Sequence, residues 1–353
     1  MGHTPLLQLR PEGLFCSAGD FYIDPWRPVD RAVVTHGHSD HARWGHKQYL
    51  CSPTCAPILR VRLGENIAIQ TSGFGEVQTL NGVKVSLHAA GHILGSAQVR
   101  VEHEGEIWVF SGDYKTEPDA TAENFECVPC HTFITETTFG LPIYRWLPQA
   151  EIFEQMNNWW RSNQQEGKAS LLLGYSLGKA QRLLAGIDST IGSIFVHGSI
   201  TRLNECYRMA GRPIPDCRLA SEVEKSFDFG SSLIVAPPSV QGTPWLRRFG
   251  SVGVGFASGW MTVRGAKRRR GVERGFTLSD HIDWPSLLAT VKETGAERVM
   301  TTHGYADATS RYFREMGLDS QALATQFKGE TLTGDPPPEV GTDEGPEGDE
   351  PIY

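Results

Sequence analysis

Residues 32–41 read Ala-Val-Val-Thr-His-Gly-His-Ser-Asp-His, and the rest of the chain is interpreted from this segment. Its apolar, β-branched start predicts a buried strand. Side chains two apart in an extended segment point the same way, so His36 and His38 can bind one ion. Asp40 and His41, where we expect the chain to turn into a helix, face a neighbouring position. The segment therefore predicts two adjacent zinc sites, and a polar loop that is merely rich in histidine is the alternative.

Length and composition fit about two domains and no membrane span. A chain of 353 residues is long enough for roughly two domains of ordinary size. No apolar run approaches the ~18 residues of a membrane helix. The N-terminal residues do not have the pattern of a secretory signal, which predicts a cytoplasmic protein. The seven Cys are an odd number and favour reduced thiols over a disulfide framework.

The negative charge of the chain is concentrated at its C-terminal end. The formal net charge is −8, and segment 334–353 holds seven acidic residues without any Lys or Arg. Without this segment, 34 acidic residues stand against 33 basic ones. The acidic composition therefore does not exclude a nucleic-acid partner. The segment is rich in Pro and Gly as well as acid, which predicts a disordered tail.

Several polar residues follow short apolar segments, as His36 does. They are His92, Asp113, Glu136 and His303. Side chains at the strand ends on one edge of a sandwich can be held rigidly in one site. Asp24 precedes Pro25 and fits either of two roles, a turn residue or a partner that orients a ligand histidine.

The central part of the chain has a different character. Between about residues 141 and 261, helices alternate with short apolar strands, which predicts a separate α/β unit. His303 must rejoin the metal site, so the chain is expected to return to the first unit from about residue 262. The predicted division is a first unit made of 1–140 and 262–333, an insertion at 141–261 and a tail at 334–353.

Taken in order, these residues resemble the motifs of the metallo-β-lactamase fold in its β-CASP nuclease branch. The matching segments span about residues 12–330 and are His36-x-His38-x-Asp40-His41, AGHILGSA (His92), FSGDY (Asp113), TETTFG (Glu136), LSDHIDW (His281) and THGY (His303). Within the branch, the chain is most similar to the bacterial ligase-associated DNA exonucleases. The stretches SGWMTVRGAKRRR and GFTLSDHIDW carry that similarity.

The resemblance implies an α/β (α+β) fold, specifically a four-layer αββα sandwich with an inserted α/β β-CASP domain. It also implies two zinc ions, with Mn²⁺ as an alternative, and phosphodiester hydrolysis that releases a 5′-phosphate. DNA is the implied substrate, in end processing during repair, with an ATP-dependent DNA ligase and a repair helicase as partners. An RNA-processing nuclease is the alternative, because His303 matches the RNA-cleaving members.

The resemblance also assigns roles to individual residues. The first ion is assigned to His36, His38 and His92, the second to Asp40, His41 and His303, and Asp113 bridges the two. Asp40, Glu136 and His281 are the expected catalytic residues. His281 is the candidate general acid for the leaving sugar oxygen, with Glu136 orienting it and favouring its charged form. The alternative for His281 is a helix-capping neighbour of Asp280.

The strongest basic run precedes the proposed general acid. It comprises Arg264, Lys267, Arg268, Arg269, Arg270 and Arg274, of which the first five are the candidate nucleic-acid contacts. Contact with phosphates and an ordinary solvated face are both open interpretations of this run.

Three further motifs favour structural explanations. Gly174-x-x-x-Gly178-Lys179-Ala180 resembles a phosphate loop but is one residue short and has Ala in place of the magnesium-binding Ser or Thr. It is expected to open a helix, whose N-terminus could still meet a phosphate. Cys127-Val-Pro-Cys130-His131 has the spacing of a haem attachment but is expected to be a loop. Cys51 and Cys55 could join it in a structural zinc site.

Two other classes of function compete with a nuclease. A small-molecule hydrolase on this fold is disfavoured by the inserted unit and by the pair Glu136 and His281. An inactive binding subunit is disfavoured because every ligand position is filled.

Overall fold

The computed structural model of the chain describes residues 5–224, 226–263, 265 and 271–327. These residues form a mixed α/β fold with three sheets, which confirms the predicted fold class. The basic run Arg264, Lys267, Arg268, Arg269 and Arg270 lies outside the described residues, as does the acidic tail 334–353. Within the described residues, no helix has both the length and the apolar character needed to cross a membrane.

Among the described residues, the first sheet has six strands in chain order. They are β1 (Gln8–Arg10), β2 (Gly13–Cys16), β3 (Phe21–Ile23), β4 (Arg31–Val33), β5 (Gln48–Cys51) and β6 (Ile69–Thr71). The first three strands pair antiparallel, and the pairs from β3 to β6 are parallel. Strand β4 lies inside this sheet and ends two residues before Thr35.

The second sheet has seven described strands, in the order β19-β18-β11-β10-β9-β8-β7. They are β7 (Val77–Leu80), β8 (Val83–Ala89), β9 (Ala97–His103), β10 (Glu106–Phe110), β11 (Thr132–Glu136), β18 (Arg298–Thr302) and β19 (Asp319–Ala322). Leu80 pairs with Val83 across Asn81-Gly82, so β7 and β8 form a hairpin. Strand β18 comes late in the chain and pairs in parallel with β11, so that Thr302 lies opposite Glu136. His303 therefore follows at the end of β11 that carries Glu136.

The third sheet is entirely parallel within the described residues, in the order β14-β13-β15-β12-β16-β17. Its strands are β12 (Ala169–Leu173), β13 (Ile194–Val196), β14 (Arg218–Leu219), β15 (Leu233–Ala236), β16 (Val252–Ala257) and β17 (Arg274–Phe276). Strand β17 lies beyond residue 261, where the predicted insertion ends. The division of the chain into domains stays a prediction.

The helices lie on the faces of these sheets. They are α1 (Cys55–Leu63), α2 (Gln149–Gln165), α3 (Lys179–Gly186), α4 (Gly198–Met209), α5 (Trp284–Thr294) and α6 (Ala306–Glu315). Short 3₁₀ turns cover Ala220–Glu222, Pro238–Val240, Pro244–Phe249 and Gly259–Thr262.

One apolar core joins the first two sheets. Phe21 and Val33 of the first sheet pack with Val99, Trp108 and Ile134 of the second. Helix α1 packs on the first sheet, and helices α5 and α6 pack on the second. Helices α2, α3 and α4 form a second core with the third sheet, which Ile58 of α1 and Ile93 and Leu94 of the loop after β8 also join. The four-layer description of the first two sheets stays a prediction.

The helix expected at Asp40 is wrong. The amide nitrogens of His41 and Ala42 both donate to the carbonyl oxygen of His38, at 3.2 and 2.8 Å, which makes a turn. Helix α1 begins only at Cys55. Asp40 and His41 are therefore presented by a turn.

Candidate metal centre

The loop that follows β4 carries the first group of polar side chains. Asp24, which is fully buried, holds this loop from behind: its Oδ1 accepts from the Thr35 amide at 2.8 Å and its Oδ2 from the Thr35 hydroxyl at 2.6 Å. Asp24 itself has a φ of 42°, in a region that costs a non-glycine residue free energy. Asp24 thus fixes the conformation at the start of the loop that carries the candidate ligands His36, His38, Asp40 and His41.

Three imidazoles from two strand ends form the first cluster. The Nδ1 atom of His38 lies 3.1 Å from His36 Nε2 and 3.0 Å from His92 Nε2. His92 comes from the loop after β8, whose glycine at position 91 has a φ of 75°. The Oδ2 atom of Asp113 lies 3.5 Å from His36 Nε2 and 3.7 Å from His92 Nε2.

The second cluster lies on the other side of Asp113. His41 Nε2 is 3.3 Å from His303 Nε2 and 3.8 Å from Asp40 Oδ2. The Oδ1 atom of Asp113 lies 3.5 Å from His41 Nε2 and 3.6 Å from His303 Nε2. Each carboxylate oxygen of Asp113 therefore faces one cluster, and the residue stands between them.

The donor set fits a pair of metal ions. Four ligand atoms around a tetrahedral zinc with bonds of 2.0–2.1 Å lie about 3.3 Å apart, and the distances in both clusters are close to that value. The Oδ1 atom of Asp113 is buried and makes no hydrogen bond within the described residues. A buried carboxylate oxygen without a partner is costly unless a cation compensates it. The predicted ligands are thus brought together in an arrangement that two cations would satisfy.

Each imidazole of the two clusters has a second polar contact that fixes its orientation. Two of these contacts are to the preceding threonine: His36 Nδ1 lies 3.0 Å from Thr35 Oγ1, and His303 Nδ1 lies 2.8 Å from Thr302 Oγ1. His41 Nδ1 lies 2.7 Å from Asp24 Oδ2. Outer partners of this kind orient metal-ligating histidines and tune their basicity.

The remaining two imidazoles contact backbone carbonyl oxygens. His38 Nε2 lies 3.2 Å from the Leu177 oxygen, and His92 Nδ1 lies 2.7 Å from the Asp280 oxygen. Leu177 precedes α3, and Asp280 follows β17. Two ligand positions are therefore oriented by segments that are next to the third sheet.

Burial sets the protonation of most of these side chains. It lowers the pKa of His36 and His92 well below the ordinary value, and neighbouring imidazoles lower both further. Burial alone would raise the pKa of Asp113, but His41, His281 and His303 together lower it well below its usual range. Neutral imidazoles at His36 and His92 beside an ionised Asp113 are the forms that bind a metal cation. His41 differs: burial alone would lower its pKa, but the carboxylates of Asp113, Asp40 and Asp24 together raise it well above the ordinary value.

Glu136 and His281 form a separate pair next to the first cluster. The Nδ1 atom of His281 lies 2.9 and 3.0 Å from the two carboxylate oxygens of Glu136. The ring centroids of His281 and His92 are 4.8 Å apart. Glu136 is buried and also accepts from the Tyr114 amide at 3.1 Å. The pair has the geometry of an oriented imidazole beside a metal centre.

Backbone conformations that few residues adopt surround the centre. His303 has a φ of 59°, which is unusual for a non-glycine residue. A Cβ on Gly112 would lie 2.9 Å from Thr35, and one on Gly91 would lie 2.1 Å from the Lys115 carbonyl oxygen. These contacts show why glycine precedes Asp113 and His92.

Sequence reasoning missed a part of this site. Phe327 stacks on both His41 and His303, with ring centroids 4.6 and 4.8 Å apart, and closes one side of the second cluster. Nothing in the sequence indicates this contact. The threonine contacts do have a signal, because Thr-His-Gly occurs both at 35–37 and at 302–304.

The structure also places the other sequence motifs. Lys179 begins helix α3, with Gly178 as its N-cap. Burial raises the pKa of the Cys127 thiol to about 11 and that of Cys130 to about 12, so both thiols are protonated at neutral pH. The three candidate metal clusters within the described residues contain no cysteine.

Comparison with known proteins gives sequence relatives and a similar fold. The chain is 31% identical over 333 residues to a probable DNA ligase from Opitutus terrae, an alignment that covers 93% of this chain and 32% of that protein. It is 32% identical over 194 residues to endoribonuclease YSH1 from Yarrowia lipolytica, which covers 45% of this chain and 23% of the relative. The chain thus spans about a third or less of the length of these relatives.

A solved structure of a protein of unknown function from Enterococcus faecalis matches the fold with a TM-score of 0.50 at 10% identity. The match covers 76% of this chain and 74% of that one. No protein-family model matches the chain.

Proposed function

Because the chain belongs to the β-CASP nuclease family of the metallo-β-lactamase fold, we propose that it is a dinuclear-metal nuclease that hydrolyses phosphodiester bonds of DNA. The observation that carries this proposal is Asp113, whose two oxygens face two clusters of imidazoles. Beside them, His281 and Glu136 form a pair that can act as a general acid, a group that a protein which only binds metal would not need.

We propose zinc as the metal, because the first cluster consists of three imidazoles and one carboxylate. Imidazole suits zinc, whereas magnesium and calcium prefer oxygen ligands. His36, His38 and His92 would hold one ion, Asp40, His41 and His303 the other, and Asp113 would contact both. Two bound ions would lower the pKa of a water molecule and offset negative charge that develops on the phosphate. Mn²⁺ is the alternative metal.

The protein's own part in the reaction is to hold these ligands and to supply a proton. His281 would donate a proton to the 3′-oxygen of the leaving sugar as the bond from phosphorus to that oxygen breaks. The products would be a 5′-phosphate and a 3′-hydroxyl. Glu136 accepts from His281 Nδ1, which leaves Nε2 as the ring nitrogen that can carry the transferred proton. Asp40 contributes as a ligand at the second cluster.

The similarity to a probable DNA ligase supports DNA as the substrate. Almost the whole chain aligns with about a third of that protein, so a sequence of this kind occurs within a protein named as a probable DNA ligase. We propose that the chain trims DNA ends in repair, as an exonuclease in the cytoplasm, with an ATP-dependent DNA ligase and a repair helicase as partners. The inserted unit at 141–261 would then cover the cleft that holds the strand.

An RNA-processing nuclease with the same chemistry is the second candidate. The similarity to endoribonuclease YSH1 favours it, as does the histidine at position 303. The test offers the purified protein matched DNA and RNA strands that are labelled at either end, with Asp40→Ala as the inactive control. The proposal predicts that DNA is cut faster and from its ends. If RNA is cut far faster, the second candidate replaces the first.

A further inference from the structure

The segment that resembles a phosphate loop lies directly against the metal centre. The Leu177 carbonyl oxygen is 3.2 Å from His38 Nε2. Gly178 has a φ of 83°, and a Cβ there would lie 2.2 Å from Ile93 and 3.7 Å from His38. Only glycine allows the backbone to approach this closely in that conformation. The start of α3 is therefore in contact with one of the candidate ligands.

The lysine of this motif is not available to a phosphate. Lys179 is 1% exposed, and its Nζ donates to the Leu278 carbonyl oxygen at 2.7 Å and pairs with Asp280 Oδ2 at 3.0 Å. Arg182, one turn along α3, is 3% exposed and pairs with Asp280 Oδ1 at 3.0 Å. It also donates to the carbonyl oxygen of Ser279. Both carboxylate oxygens of Asp280 are thus held by cations from α3.

Asp280 in turn joins the metal centre to the proposed general acid. Its carbonyl oxygen is 2.7 Å from His92 Nδ1, and its next neighbour in the chain is His281. A shift of this one residue would change the ring orientation of His92 and the position of His281 together. The ion pairs with Lys179 and Arg182 hold the residue against such a shift.

The charges around Asp280 are balanced, which explains why they can be buried. Arg182 also contacts Glu117 at 3.3 Å and Asp119 at 3.6 Å, and Asp119 pairs with Lys115. The network contains three cations (Lys115, Lys179 and Arg182) and three carboxylates (Glu117, Asp119 and Asp280), and only Glu117 is substantially exposed, at 34%. Burying charges in this way requires close pairing. A network that served stability alone would not need to include Asp280, whose carbonyl oxygen contacts the candidate ligand His92.

We propose that Lys179 and Arg182 are positioning residues, which act through Asp280 to set the orientation of His92 and His281. Helix α3 would then couple the third sheet to the metal centre, and its phosphate-loop sequence would serve this contact. The inference rests on the proposed function, since it assumes that His92 is a metal ligand and His281 a general acid.

The test compares Lys179→Met with Arg212→Met in the full chain. Arg212 pairs with Glu123 at 3.0 Å and does not touch the candidate ligands or Asp280 in the described structure, so it is a matched control for the loss of one ion pair. The readouts are the zinc dissociation constant from chelator competition and the visible absorption of the cobalt-substituted protein, which reports the ligand geometry.

We expect Lys179→Met to bind zinc about 10-fold more weakly, the lower end of the loss seen when an outer partner of a metal ligand is removed, because the Asp280 carbonyl that contacts His92 is shifted and not lost. Its cobalt spectrum should change, and its kcat should fall while KM stays near the wild-type value. Arg212→Met should keep the wild-type affinity and spectrum. The double variant Lys179→Met/Asp280→Asn leaves no unpaired carboxylate and should show the same loss, so it replaces the single variant if that variant does not fold.

A folded Lys179→Met or double variant with wild-type zinc affinity and an unchanged cobalt spectrum would overturn the inference. If the wild-type protein itself binds no metal, the proposed function fails instead. The two failures are therefore distinguishable from the same set of titrations.

Discussion

The role of His281 gives the sharpest prediction about the reaction. We expect His281→Ala to lower kcat on DNA by about 10²- to 10⁴-fold, the usual contribution of a general acid, or about 3–5 kcal/mol in activation free energy. The structure supports this range because His281 is held by both oxygens of Glu136, at 2.9 and 3.0 Å, and is almost fully buried. His281 belongs neither to the group of His36, His38, His92 and Asp113 nor to that of Asp40, His41 and His303, although it forms a third possible metal-binding group with Asp113 and Glu136. The variant therefore keeps every residue proposed to hold the two ions, and we expect its metal content to be unchanged.

The assay measures turnover of two labelled DNA strands that differ at one linkage. One has an ordinary phosphodiester, and the other has sulfur in place of the bridging 3′-oxygen. A thiolate leaves without protonation, so the sulfur substrate does not need an acid. His281→Ala should therefore lose most of its activity on the oxygen substrate and little on the sulfur substrate.

His103→Ala provides the matched control. His103 ends β9, and its Nε2 lies 3.9 Å from its neighbour Glu104, so its loss should leave both rates within about twofold of wild type. If His281→Ala loses the same factor on both substrates while its metal content is normal, His281 is not the general acid.

Three further predictions concern ligand orientation, backbone fit and pH. Asp24→Asn should weaken metal binding about 10- to 100-fold, because Asp24 holds His41 Nδ1 at 2.7 Å; an unchanged affinity in chelator competition would contradict this. Gly91→Ala should strongly lower the free energy of unfolding measured in urea, because the new Cβ would lie 2.1 Å from the Lys115 carbonyl oxygen. Gly82→Ala is the control: position 82 also has a positive φ, but a Cβ there would meet no atom within 4 Å, so this variant should lose only about 1 kcal/mol. Burial lowers the pKa of His46 from 6.5 to about 4, so the unfolded chain binds more protons between these values and the free energy of unfolding falls as pH drops from 6.5 to 4. After allowance for solvent screening, His46 contributes about 2 kcal/mol to this fall in the free energy of unfolding. Metal-free His46→Gln should therefore lose correspondingly less stability than the metal-free wild type between pH 6.5 and 4. An identical pH dependence in the two proteins would refute the assignment.

Much of the site could be predicted because it is built at strand ends. An apolar run followed by a polar residue marks both the strand and the point at which it delivers a side chain, as at His92 and His303. Parallel pairing of β18 with β11 then brings the distant His303 to the same edge. The ligand positions follow from this alternation.

The failures have local causes. The expected helix at Asp40 does not continue beyond one turn: the amides of His41 and Ala42 close that turn on the His38 carbonyl, and Gly45 then adopts a φ of 100°. The contacts of Leu177 and Asp280 with the imidazoles use backbone oxygens, which every residue has. No residue type therefore signals them, and only the fold places them.

Phe327 shows the same limit for a side chain. It follows the last described strand, β19, and packs on two imidazoles by tertiary contact alone. Periodicity indicates which residues are apolar, but it does not indicate which distant ring an aromatic side chain will cover.

The proposed dinuclear site can be tested by anomalous diffraction from crystals grown with excess zinc, measured on either side of the zinc absorption edge. We expect two peaks per chain, one within the cluster of His36, His38 and His92 and one beside His41 and His303, with Asp113 between them. A single peak, or peaks that do not contact Asp113, would contradict it.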